Sequence, residues 1–155
     1  MRSKQLKHSL ISGAGGAIGI FILSVFSIGM GSPLLMAPFG ASCVLLFSVP
    51  ESPLSQPKNV IGGHFISALV GVVFAALWPA SPFVLSFAVG SAIILMVILK
   101  VIHPPAGADP IVILMGAKGF SFLLFPVLSG SILLVFIAYV FHRYTAQNTY
   151  PKTIS

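Results

Sequence analysis

Apolar runs divide this chain. Four long ones, at about 9–30, 60–78, 83–102 and 120–141, are separated by short polar stretches, and two shorter ones lie between them at about 33–49 and 104–117. Each long run can cross a hydrocarbon core of ~30 Å as a helix. The two shorter runs are near or below that length, and both are interrupted by proline and glycine. The first run is too long for the apolar core of a secretory signal, about 7–15 residues, so it reads as a retained transmembrane helix.

The two short runs resemble each other. Pro38-Phe39-Gly40-Ala41-Ser42 aligns with Pro105-Ala106-Gly107-Ala108-Asp109 at an offset of 67 residues, and an apolar stretch follows each. Both lie between two long runs. The chain therefore reads as one all-α transmembrane domain, 1–155, built as two three-segment repeats over about 9–78 and 83–142. Paired Gly/Pro-interrupted segments in corresponding halves point to a transporter's binding site.

Charge placement sets the topology. If the short runs re-enter, Arg2, Lys4, Lys7, Arg143 and Lys152 lie inside, and Lys58, Lys100 and Lys118 outside. If they cross, Lys58 and Lys100 move inside as well. The positive-inside rule prefers the second arrangement. Six crossings give the halves inverted topology, with both termini in the cytoplasm and the bacterial inner (plasma) membrane as the expected location.

Composition agrees. Of 155 residues, 57% are hydrophobic and 6% charged, against about a quarter charged in a soluble domain. The net charge of +6 comes from scattered and terminal cations with no basic face, so a nucleic-acid partner is not expected. Cys43, the single cysteine, reads as a buried inert thiol. Ser12/Gly16, Gly15/Gly19 and the stripe Gly63, Ser67, Gly71 have the spacing of close-packed membrane helices. They suggest a homo-oligomer, dimer or trimer. Trp78, Tyr139 and Tyr144 suit a membrane-interface belt. No histidine pair has metal-ligand spacing, no cofactor motif is present, and no nucleophile–base pair is visible, so an enzyme is not expected.

The chemistry concentrates at the breaks. Asp109-Pro110 reads as an N-cap and a first helical residue, and Ser42 as the equivalent cap in the first half. Two short-helix N-termini meeting near the bilayer middle would offer unpaired N–H groups to a small anion. Gly40 and Gly107 would let it approach the backbone. The expected binding set is Pro38, Gly40, Ala41, Ser42, His64, His103, Pro104, Pro105, Gly107, Ala108 and Asp109. Asp109 either caps its helix, pairs with Lys100, or binds a proton that couples to the anion. His103 is either a donor to a carbonyl or a gating and proton group. His64, on the third segment, faces the first break or is a satisfied buried histidine. His8 and His142 are expected to be solvated at the interfaces. The loop from Glu51 to Asn59 reads as an inside gate or a docking element.

His103-Pro104-Pro105-Ala106-Gly107-Ala108 resembles the motif of the HPP family of small integral membrane proteins. So do Ala37 to Ser42, Pro50 to Leu54 and Gln56 to His64; the likeness covers about residues 10–142. It implies four transmembrane helices, two fewer than the crossings counted above. Some members are linked to nitrite transport in cyanobacteria and chloroplasts, which implies transport of a small anion. Asp109 departs from the family's pattern, which often has Asn or Thr there. The leading expectation is a transporter or channel for a small inorganic anion. The alternative is a non-transporting membrane module that assembles with or regulates a partner.

Overall fold

The computed structural model describes residues 2–29, 31, 34–145 and 149–152. The expected segment limits at 30 and 33 lie outside these. Among the described residues the chain is all helical, with six α-helices: α1 (Arg2–Gly29), α2 (Ala37–Ser48), α3 (Pro57–Leu77), α4 (Pro82–Ile98), α5 (Asp109–Met115) and α6 (Ser129–Thr145). Short 3₁₀ turns occupy Pro53–Ser55 and Pro104–Ala108, and the second runs directly into α5.

Local chemistry explains the ends. Met36 is extended (φ −136°, ψ 150°) and Pro38 sits in the first turn of α2, where its missing N–H costs nothing. Pro57 opens α3 and Pro82 opens α4 for the same reason. Ser81 caps α4 by accepting from the Val84 amide. α4 stops at Ile98, four residues before the expected limit of 102. Lys100 takes a left-handed conformation (φ 54°), and the Val101 amide folds back to the Met96 carbonyl at 2.9 Å. That turn meets the last carbonyls of the helix and leads into the second break.

Among the described residues three segments are long and apolar enough to cross a membrane: Arg2–Gly29, Pro57–Leu77 and Leu123–Thr145. α4 is shorter, with 17 residues, about 25 Å at 1.5 Å per residue. The last expected span, 120–141, is not one regular helix. Pro126 lies inside Leu123–Leu128, and Phe125 leaves helical geometry (φ −131°, ψ 115°). Proline removes a helical hydrogen bond and clashes with the preceding turn, so regular α6 begins only at Ser129.

The small residues hold the helices together. A Cβ on Gly15 would stand 2.5 Å from Phe47 Cδ1, and one on Gly19 3.1 Å from Leu134 Cδ1, so α1 lies tight on α2 and α6. Gly16 is looser, at 3.7 Å from Cys43, and with Ser12, Gly13 and Gly40 it lines a groove between α1 and α2. Gly71 of α3 takes Pro110 Cα at 2.8 Å. Gly63 of α3 takes the Val101 carbonyl at 2.9 Å, and Gly130 of α6 takes the Leu34 carbonyl at 2.8 Å. Each break thus lies backbone-close to a glycine on a long helix. The shared core is apolar, with Leu23, Phe39, Leu46, Val60, Ile113, Val127 and Leu134 at its centre.

Candidate functional site

Four polar side chains lie fully buried at the meeting point of both breaks: Ser42 from α2, His64 from α3, His103 just before the second 3₁₀ turn, and Asp109 from the first turn of α5. They form one hydrogen-bonded chain. Asp109 Oδ2 lies 2.8 Å from His64 Nδ1. His64 Nε2 lies 2.8 Å from Ser42 Oγ. Ser42 Oγ lies 2.8 Å from His103 Nε2. His103 Nδ1 donates to the Leu54 carbonyl at 2.8 Å. Phe39 presents an edge to the His64 ring, with centroids 5.2 Å apart, and the two imidazoles are 4.9 Å apart.

The backbone explains the convergence. Asp109 does not cap its helix. The preceding 3₁₀ turn has already started helical geometry, Asp109 itself is helical (φ −60°, ψ −43°), and its amide bonds to Ala106. An N-cap needs an extended backbone, so the carboxyl is free to reach α3. Nor does Asp109 pair with Lys100, which is exposed; its carboxyl meets His64 instead. Ser42 is likewise no cap, because α2 starts five residues earlier, at Ala37. Its hydroxyl makes a longer 3.3 Å contact with the Pro38 carbonyl one turn back and points across to the histidines.

The expected binding set therefore divides. Ser42, His64, His103 and Asp109 come together, with buried Pro38 and Pro105 shaping the turns beneath them. Gly40, Ala41 and Pro104 are exposed, and Gly107 and Ala108 are half-buried. A Cβ on Gly40 or Gly107 would meet nothing within 4 Å. The polar centre is made by side chains, not by two facing helix ends; α5 has only seven residues, too few for a developed end charge.

His142 was expected at a wet interface and is instead buried, its Nε2 2.8 Å from the Leu46 carbonyl, with its ring beside those of Phe47, Phe141 and Tyr150. Burial pushes the Tyr150 phenol above its ordinary range. His8 is exposed, 3.1 Å from the Ser48 carbonyl.

Two contributors were not foreseen. Leu54 acts through its carbonyl, which no side-chain pattern reveals. Ser67, read only as a packing residue, donates to the Ala106 carbonyl at 2.6 Å and fixes the second break on α3. The loop from Glu51 to Asn59 is tied down: Gln56 donates to the Pro50 and Ser52 carbonyls and accepts from the Lys152 amide, and Asn59 donates to the Ile102 carbonyl. It seats Leu54 over His103.

Residues 1–151 match the family described as HPP, transmembrane region. The chain belongs to the HPP family. It is thus an integral membrane protein. It is 38% identical over 126 residues to a transmembrane protein of Dictyostelium discoideum, covering 76% of this chain and 44% of that one. It is 34% identical over 146 residues to a second transmembrane protein of the same organism, covering 86% of this chain and 47% of the relative. The chain spans less than half the length of both curated relatives. No solved structure matches it. The residues that carry the HPP motif supply His103 to the polar centre and the turn that delivers Asp109.

Proposed function

We propose that this HPP protein is a transporter or channel for a small inorganic anion, with nitrite the first candidate. One observation carries the reading: both chain breaks deliver polar side chains to a single buried centre inside an apolar helical protein. Ionisable groups inside a membrane protein are costly and mark solute or proton pathways. All four imidazole nitrogens and Asp109 Oδ2 are engaged within the set, so the choice of an anion is taken from the likeness to family members linked to nitrite transport.

We further propose two inverted three-segment repeats, so that α2 and residues 104–115 cross as short segments. The 67-residue offset found in the sequence carries the helix at 37–48 onto 104–115. It also carries Leu34 onto Val101 and Gly63 onto Gly130, so that each half's break rests on the other half's glycine. Both termini are then cytoplasmic, in a bacterial inner membrane, and the assembly is a dimer or trimer. In a Cys43→Ser background, single cysteines at 58 and 100 should be labelled from the inside only and one at 118 from the outside. Labelling of 58 and 100 from outside would refute the inverted arrangement.

The flux test is direct. Liposomes holding the purified protein should move nitrite faster than empty liposomes, and Asp109→Ala should abolish the excess. If nitrite, nitrate, formate and chloride all stay at the empty-liposome rate, the anion reading is wrong.

A catalytic reading has its own observation, since Ser42, His64 and Asp109 stand in the order nucleophile, base and acid. The Ser42 hydroxyl, however, is fully buried and faces both imidazoles and the Pro38 carbonyl. No direction is left open for a substrate carbonyl, so we read the set as a polar relay. The alternative is a non-transporting module that assembles with a partner, and a stoichiometric partner on purification would support it.

A further inference from the structure

The polar centre makes more hydrogen bonds than an ionised acid and two neutral histidines can fill with protons. Four hydrogen bonds run in series from Asp109 to the Leu54 carbonyl, and each needs one proton. A carbonyl only accepts, so His103 Nδ1 carries a proton. An ionised Asp109, two neutral histidines and one hydroxyl supply three protons for four bonds. One bond would then face lone pair to lone pair at 2.8 Å. Four protons satisfy every bond and leave the set with no net charge, which an apolar interior favours. Sending the hydroxyl proton to Pro38 instead, over the longer 3.3 Å contact, would make both imidazoles donate to Ser42. That requires a fifth proton and an unbalanced positive charge.

A second observation agrees. Asp109 Oδ1 is buried with no hydrogen-bond partner among the described residues. An orphan oxygen costs far less on a neutral acid than on a carboxylate.

We propose that Asp109, His64, Ser42 and His103 form one proton-binding site, holding a single exchangeable proton that passes between Asp109 and His103. The proposal rests on the transport reading of this centre and names its second substrate, a proton. In the first arrangement Asp109 is a neutral acid donating to His64 Nδ1, His64 Nε2 donates to Ser42, and Ser42 donates to His103 Nε2. In the transfer the Asp109 O–H breaks and an N–H forms at His64 Nδ1. The His64 Nε2–H breaks and a new O–H forms at Ser42. The original Ser42 O–H breaks and an N–H forms at His103 Nε2. Asp109 is then a carboxylate, His64 neutral in its other tautomer, and His103 an imidazolium. Four protons are present before and after, and the Leu54 bond persists throughout.

The surroundings leave this set to itself. α2 carries Cys43 next to Ser42, and Lys58 on α3, Lys100 after α4 and Lys118 after α5 are exposed. α4 carries no ionisable side chain. On α6, buried His142 bonds elsewhere, to Leu46, and Arg143 and Tyr144 are exposed. In the loop that supplies Leu54, Glu51 pairs with Lys152 at the surface.

Asp109 is the chain's one aspartate, so isotope-edited infrared spectroscopy of the ¹³C-aspartate-labelled full chain in lipid nanodiscs reports on it alone. ¹⁵N-histidine NMR of the same sample reports on the four histidines, with the His64 and His103 signals assigned by single His→Gln variants. Near neutral pH without added anion, the neutral-acid signal of Asp109 and the imidazolium signal of His103 should together account for one proton per chain. Raising the pH should remove both in a single step. Ser42→Ala should separate them into two independent titrations, and Asp109→Asn, whose amide can still donate to His64, should abolish the step while the protein stays folded. A full carboxylate at 109 beside two neutral histidines near neutral pH would overturn the proposal. So would two separate titrations in the unaltered chain, or one shared step surviving in Ser42→Ala. Because no flux is measured, a missing anion current leaves this result standing, and an absent proton site leaves the flux result standing.

Discussion

His64→Ala is expected to destabilise the protein by about 2–5 kcal/mol, from the stranded hydrogen bond of a buried acid and the cavity left by the ring. Among the described residues His64 is the one hydrogen-bonding partner of the Asp109 carboxyl, whose other oxygen is already unsatisfied. Without the imidazole a fully buried acid faces an apolar cavity, and Ser42 loses one of its two short contacts. The effect should appear as a lower melting temperature and loss of monodisperse protein in mild detergent. Asp109→Asn is the control, because its amide retains a donor toward His64, and it should stay within about 1 kcal/mol of the original. The double variant His64→Ala, Asp109→Ala should recover part of the loss, since the stranded acid is gone. If His64→Ala melts like the unaltered protein, the polar centre contributes nothing to the fold.

Gly63→Val should be comparably damaging for a different reason. Even a single Cβ there would lie 2.7 Å from His103 Cβ and 2.9 Å from the Val101 carbonyl. Neither neighbour is the free end of a flexible side chain, so α3 or the second break must move. Overpacking of a core costs about 1–3 kcal/mol, and here the displaced segment also carries His103 out of reach of Ser42. Gly63→Val should therefore lower stability by at least that range and remove the shared titration of Asp109 and His103. Gly130→Val should act alike on the first break, against the Leu34 carbonyl at 2.8 Å and the Phe39 ring. Gly40→Ala is the contrast. Its Cβ meets nothing within 4 Å, and alanine is the better helix former by about 1 kcal/mol. Equal melting temperatures for Gly63→Val and Gly40→Ala would mean that the close approach of break to helix is not needed.

Much of the architecture is legible in the chain because apolar length and proline are local signals. The runs at 60–78 and 33–49 are found as helices at 57–77 and 37–48, since a membrane-length apolar run bounded by polar turns has few other ways to satisfy its backbone. The stripe Gly63, Ser67, Gly71 is read correctly as a packing face, because small size acts through its neighbours whatever they are. Pro126 and Lys100 are where local reading fails. A proline inside an apolar run looks continuous until the kink is seen, and a lysine in left-handed backbone carries no sequence mark.

The site divides along the same line. Sequence alone singled out the HPP motif, Ser42, His64 and Asp109, because polar groups in an apolar chain need a reason to be there. It read Ser42 as a helix cap and left Asp109 between a cap, a pair with Lys100 and a bound proton, the first two being partners near along the chain. The tertiary structure gave both residues to His64 instead, 22 and 45 residues away, and joined His103 to Ser42 across 61 residues. Capping depends on the backbone angles of one residue, which the preceding turns had already made helical. Pairing depends on which helices touch, and that was decided by glycines letting the breaks lie against α3 and α6.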